Sequence, residues 1–265
     1  MESNISKMMK VKSIELQAER NVKLVLYEAL KGLQALHDGG FVHWDIKPSH
    51  IFIEPDTGTA LLGDLSQWCE KYRKEKTKYV GSKFFQAPEI LLGSDSYDEK
   101  CDIFSMALVF ANMLLGRPLI SGSEEHQLNQ MWALFGTPKE DNWPEAYDLA
   151  LEKEYRFPIQ HKQASGKTVD PANLSKTFNS TSPEALDLIY KMCFMNPKYR
   201  PSAEECLKHP YFENLALNEK DYKMSPSYFM KKDYYHPVHD PRKYYRKKFD
   251  KPHKISKYVF ILCIK

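Results

Sequence analysis

Asp45, Lys47 and Asp64 are residue types that phosphate chemistry uses. Asp45 and Lys47 lie two residues apart in His43-Trp44-Asp45-Ile46-Lys47-Pro48, so in an extended segment they point to the same side. Asp64 follows in Gly63-Asp64-Leu65-Ser66. Between the two segments, Ile51-Phe52-Ile53 and Ala60-Leu61-Leu62 flank Pro55-Asp56-Thr57-Gly58, the pattern of a hairpin with turn residues at its tip. Such a hairpin can bring both carboxylates to one mouth. One carboxylate can then orient a hydroxyl nucleophile, and the lysine can neutralise charge on a transferred phosphoryl group. The other carboxylate can hold Mg²⁺. The plain alternative for these three residues is a solvated charged loop.

The elements that must position them are mostly helical. Val22, Val25, Leu26, Ala29, Leu30, Leu33 and Leu36 recur at three- and four-residue steps, one face of an amphipathic helix. Asn21 is its expected N-cap and Gly39-Gly40 its stop. Segments 101–115, 124–135, 183–193 and 202–208 also carry helical spacing, and Ser182-Pro183-Glu184 is a strong helix start. Asn142-Trp143-Pro144 and Phe157-Pro158 read as breaks, and residues 65–86 as an exposed polar loop. Residues 1–20 are polar and show no clear period.

Composition sets the outer limits. The chain has 265 residues, 42% of them hydrophobic and 28% charged, enough to bury a core. No apolar run reaches ~18 residues, so no membrane span is expected. Five cysteines without a C-x-x-C pair speak against a disulfide framework or a structural zinc site. They fit a reducing compartment, the cytoplasm or nucleus. The net charge of +3 hides an asymmetry: residues 1–214 hold 25 Lys+Arg against 30 Asp+Glu, and residues 215–265 hold 13 against 5. The basic tail, with its interleaved Tyr and Phe, can bind a polyanion such as single-stranded nucleic acid. The bland reading, a solvated or wrapping tail, is the stronger.

His43-Trp44-Asp45-Ile46-Lys47-Pro48, Gly63-Asp64-Leu65-Ser66 and Ala87-Pro88-Glu89 follow one another in order. With them the chain resembles the C-terminal lobe of a eukaryotic protein kinase, most similar to the cyclin-dependent branch. Leu128 through Pro144 is similar to that branch's insert region. The resemblance implies a mainly α lobe with a small β-hairpin and an extended basic C-terminal tail. It divides the chain into 1–20, a remnant of the hinge or linker, 21–214, the lobe, and 215–265, the tail. It implies ATP and Mg²⁺ as cofactors, a protein substrate or partner, and a cyclin-like subunit among the candidate partners. By the same resemblance Asp45 is the catalytic base, Lys47 the phosphate-contacting lysine and Asp64 the metal-binding aspartate. Thr77 falls at the activating phosphothreonine and Ser82 at a small hydroxyl residue near the substrate. Glu89 pairs with Arg200, and Asp102 braces the catalytic loop from its helix.

The departures from that pattern shape the functional expectation. No two of the eleven glycines lie two apart, so these residues contain no G-x-G-x-x-G, and no strand lysine of V-A-I-K type is present. His50 stands where the family has a cofactor-binding asparagine, and imidazole suits Zn, Cu or Fe better than Mg²⁺. A hydrogen-bonding role for His50 is the plainer reading. Trp44 stands where an arginine pairs with the loop phosphate, and its indole offers one neutral donor. His43 reads as a packed core histidine. The expectation is a truncated serine/threonine kinase, weak or inactive as this chain alone. The alternative is a pseudokinase-like interaction module.

Overall fold

The helix expected from Val22 onward is the centre of the molecule. In the computed structural model, residues 3–10, 18–53, 59–64, 69–70, 81–157, 171–178, 180–213 and 215 are described. Helix α2 (Glu19–Asp38) buries Val22, Val25, Leu26, Ala29, Leu30, Leu33 and Leu36, the whole predicted face. Its start differs from expectation. The helix begins before Asn21, with Ala18 at the N-cap and no side-chain capping bond. Its end agrees: Gly40 takes φ 81°, a left-handed conformation that costs glycine little.

The polar linker expected over residues 1–20 contains regular structure in its described part. Strand β1 (Ser3–Asn4) leads into helix α1 (Ile5–Lys10), whose Ile5 and Met8 are buried. Only these two are buried among six residues, with Met9 half-buried beside them, too short a stretch to show a period in the sequence. After α2 come β2 (Phe41–Val42), a 3-10 turn at Pro48–His50, β3 (Ile51–Ile53) and β4 (Ala60–Leu62). β3 and β4 pair antiparallel with Ile51 opposite Leu62 and Ile53 opposite Ala60, so the hairpin forms as read. It is not alone. β1 adds to β3, giving the order β1-β3-β4, and β2 pairs with β5 (Cys69–Glu70). The tip residues 54–58 lie outside the described set.

The remaining elements are helices: α3 (Pro88–Leu91), α4 (Lys100–Leu115), α5 (Glu124–Phe135), α6 (Pro144–Glu152), α7 (Pro171–Thr177), α8 (Pro183–Met192) and α9 (Ala203–Leu207). α4 is apolar on nearly every face and buried along most of its length, as a central helix must be. The break at Asn142-Trp143-Pro144 separates α5 from α6, and Pro144 opens the new helix, because a first-turn proline gives up only an N–H that has no helical partner. α2 packs against α9, β4 and α4, and α4 packs against α8. This arrangement sets the hairpin on one flank of α2 and the long α4 beneath the loop after β2.

Candidate functional site

The loop after β2 is held by a carboxylate from below. Asp102, at the start of α4 and 1% exposed, accepts the His43 N–H at 2.8 Å and the Trp44 N–H at 2.9 Å, one on each oxygen. His37 Nε2, from the last turn of α2, lies 2.9 Å from the same carboxylate. Backbone donors that would otherwise be orphaned in the core are thereby satisfied. They also hold Trp44 at φ 65°, a left-handed conformation that costs a bulky residue roughly 1–3 kcal/mol. His43 is fully buried, with Nε2 3.1 Å from the Gly63 carbonyl, which ties the loop to the end of β4. Gly63 itself has no room for a side chain, since a Cβ there would lie 2.9 Å from the Phe52 ring.

Beyond this brace the chemistry converges. Lys47 Nζ donates to Asp45 Oδ2 at 2.8 Å and to Ser82 Oγ at 2.7 Å. Ser82 Oγ donates in turn to Asp45 Oδ1 at 2.6 Å. The three side chains close a triangle: an acid, a cation and a hydroxyl, with Asp45 3% exposed. The two-residue spacing of Asp45 and Lys47 acts as expected, because Lys47 is extended at φ −159°, ψ 164°. Ser82 comes from 35 residues further on, and is kept there by the segment around it. Phe84 N–H donates to Gln127 Oε1 on α5, and Ser105 Oγ on α4 donates to the Phe85 carbonyl. Sequence reasoning missed His37, Ser105 and Gln127. Each is a polar residue on a helix, and only the packing shows what it reaches.

His50 joins the two aspartates. Its Nδ1 lies 2.8 Å from the Asp45 carbonyl, an acceptor only, so that nitrogen carries the hydrogen. Its Nε2 then faces Asp64 Oδ2 at 3.0 Å. Asp64 takes φ 57°, in the left-handed region that aspartate tolerates better than most residues. Burial lowers the His50 pKa below the ordinary imidazole value; the bond to the Asp45 backbone opposes this, the Lys47 charge adds to it, and the two carboxylates oppose it. The oxygen of Asp64 fits Mg²⁺, whereas the nitrogen of His50 fits a softer ion better. No group of three or more His, Cys, Asp or Glu is placed to hold a metal among the described residues.

The next segment is anchored by charge. Arg200 Nη1 and Nη2 reach the two oxygens of Glu89, each at 2.7 Å. Its remaining N–H groups donate to the carbonyls of Phe194, Lys100 and Met195. All five guanidinium donors are used in a site where the side chain has no exposure. The Trp44 indole lies edge-on to Tyr97 at 5.2 Å, and its buried Nε1 finds no hydrogen-bond partner among the described residues. Thr77, Leu65, Ser66 and the tail from 216 lie outside the described residues.

A loop aspartate is thus braced by a helix carboxylate, beside a lysine and a second aspartate at a hairpin's end. The chain is a member of the protein kinase family: it matches the protein kinase domain over residues 2–212. Serine/threonine-protein kinase MAK of Homo sapiens is 32% identical over 216 residues, 80% of this chain and 33% of its own length. Cyclin-dependent kinase D-1 of Arabidopsis thaliana is 35% identical over 195 residues, 72% of this chain and 46% of its own. The chain thus spans between a third and a half of the length of these curated relatives. The solved CAK complex of Chaetomium thermophilum, bound to ATP-gamma-S, shares the fold. Its TM-score is 0.70 at 23% identity, covering 79% of this chain and 64% of that one.

Proposed function

We propose that this chain supplies the substrate-facing part of a serine/threonine protein kinase site, transferring the γ-phosphoryl group of ATP to a protein hydroxyl. The triangle of Asp45, Lys47 and Ser82 carries this reading. Asp45 accepts the proton of the attacking hydroxyl as its oxygen bonds to phosphorus and the bond to the ADP oxygen breaks. Lys47 stabilises charge on the phosphoryl oxygens, and Ser82 fixes the Asp45 carboxylate toward the hydroxyl. Asp64 would hold a divalent ion, which would supply positive charge to neutralise the phosphate. The helix-rich make-up supports assigning residues 21–214 to the C-terminal lobe, and the cyclin-dependent relative supports a cyclin-like partner. Trp44 offers no cation to a phosphorylated Thr77, so activation by that route should be weak.

The test is transfer of labelled phosphate from ATP to a serine-rich protein, with nucleotide-dependent thermal stabilisation alongside. Asp45→Asn should lower transfer by about 10²–10⁴-fold while leaving the melting temperature near that of the parent. Nucleotide at about a hundred times its Kd should add about 2.7 kcal/mol of stability, lost in Asp64→Ala. A second reading, a pseudokinase-like interaction module, is favoured by His50 facing Asp64 where an oxygen ligand would suit Mg²⁺. Absence of both transfer and nucleotide stabilisation would decide for that module.

A further inference from the structure

We propose that the apolar run Tyr258-Val259-Phe260-Ile261-Leu262-Cys263-Ile264 of the basic tail docks, within its own chain, into the aromatic groove at the C-terminal ends of α5 and α8. The groove shares no residue with the triangle of Asp45, Lys47 and Ser82, so the proposal does not depend on the kinase reading.

The groove follows from where three helices start and stop. α5 ends on Phe135, and Gly136 at φ 90° turns the chain aside, a conformation that costs glycine little. Pro144 opens α6 and leaves Trp143 just ahead of it, 3% exposed. α8 contributes Tyr190, and beyond its end come Phe194, Met195 and the 3-10 turn Pro197–Tyr199. Asn196 ties the two sides together, since its Nδ2 donates to the Asn142 carbonyl at 2.6 Å. These residues line a cavity of about 390 Å³. Pockets that hold ligands measure about 300–1,000 Å³. Phe135, Trp143 and Met195 are buried, Tyr190 and Phe194 are half-buried, and Tyr199 is 59% exposed. A ring left that open beside buried aromatics has apolar area still to cover.

Composition, charge and tether choose the occupant. Soluble chains avoid leaving more than three or four consecutive apolar residues in water unless they serve a contact. The run at 258–264 exceeds that length. Lys251, Lys254 and Lys257 precede it and Lys265 follows, with no carboxylate from 251 onward. The stretch from Lys139 to Asp148, which forms one lip of the groove, exposes Glu140, Asp141, Glu145 and Asp148 against Lys139 alone. Glu145 pairs with Lys198 at 3.0 Å, and the rest of that lip stays acidic. An apolar segment flanked by lysines complements an apolar cavity with an acidic lip. Residues 216–257 separate the run from Leu215, the last described residue. At about 3.3 Å per residue they can span up to about 140 Å. A body of about 200 residues has a radius of gyration of about 17 Å, so the groove is within reach. Tethering also gives the run an effective concentration in the millimolar range, which favours it over the same segment of a second copy.

The experiment uses the full chain. Cys263 lies within the run, and Lys139 lines the groove and is exposed, so Lys139→Cys places a second thiol beside the docked segment. A short bifunctional maleimide should join the two within one chain, as read by mass spectrometry of the linked peptides. In a mixture of unlabelled and isotopically labelled chains, no linked peptide pair should carry both forms. Ile261→Asp in the run and Tyr199→Asp on the groove should each cut the yield at least about tenfold, because an unpaired carboxylate resists transfer into an apolar cavity. Tyr199 is exposed, so its variant should keep the parent's melting temperature, which separates loss of docking from loss of fold. Links between chains alone would assign the groove to a second copy and overturn the proposal. A missing link, or an intrachain link of unchanged yield in either variant, would overturn it as well.

Discussion

Arg200 shows how much a single side chain can carry when nothing around it is solvent. Its guanidinium meets Glu89 through two bonds of 2.7 Å and stacks 4.9 Å from the Phe104 ring. Such a pair is no guarantee of stability against an apolar replacement of both partners, but breaking one side leaves a buried charge uncompensated. Arg200→Ala should cost about 3–5 kcal/mol in urea denaturation. Arg200→Lys should recover little of it, since an ammonium has three donors and no planar fork. Ser82 makes a second case. Its hydroxyl donates to the Asp45 carboxylate beside the Lys47 ammonium, and a hydrogen bond to a charged group is worth about 1.5–3 kcal/mol. Ser82→Ala should therefore lower kcat about ten- to a hundredfold with KM for nucleotide little changed. Ser82→Thr, which keeps the hydroxyl, should restore it. A loss confined to stability, without the kcat effect, would reduce Ser82 to a packing residue.

Helix ends set the geometry between these residues, and their capping is legible in the chain. Ser123, Ser182 and Ser202 each accept a backbone N–H from three residues on. At α9 the motif is reciprocal: Ser202 Oγ accepts the Glu205 N–H at 3.1 Å, and Glu205 Oε2 accepts the Ser202 N–H at 2.7 Å. The backbone bond from Ser202, and then its side chain, hold the Glu205 pKa below the ordinary 4.5. A carboxylate depressed by folding stabilises the fold above its unfolded pKa, and that contribution is lost as the pH falls through the lower folded value. Stability should therefore decline as the pH drops below about 4.5, and Glu205→Gln should flatten that part of the profile. Ser202→Ala should cost about 1 kcal/mol at neutral pH, measured by thermal denaturation.

The molecule as a whole is organised around α2 and α4, the two helices that the hairpin, α8 and α9 pack against. Three cysteines report on that interior. Cys101, Cys193 and Cys206 are free thiols and buried. Burial pushes the Cys206 thiol up to about 12 and raises those of Cys101 and Cys193 as well. A thiol that stays protonated is a poor nucleophile. Native protein at neutral pH should leave all three unalkylated by iodoacetamide, and urea should expose them in one cooperative step. Alkylation of Cys101 in the folded state would mean that α4 opens locally, which the burial of most of its length argues against.

Local chemistry made part of this protein readable before any fold was known. The stripe from Val22 to Leu36, the hairpin and the Ser182 cap depend on near neighbours in the chain, and their spacing expresses it. The aspartates and lysine of the site could be named for the same reason: short motifs put the right residue types at the right intervals. The helix at Ile5–Lys10 could not be read, because six residues are too few to show a period and its partner β3 lies some forty residues on. Nor could the convergence of Ser82 on Asp45, the reach of Arg200 to five acceptors, or the meeting of His50 with Asp64. Those contacts join residues far apart in the chain or turn on ring orientation. Only packing, which satisfies most buried donors at once, chooses among the partners that the sequence allows.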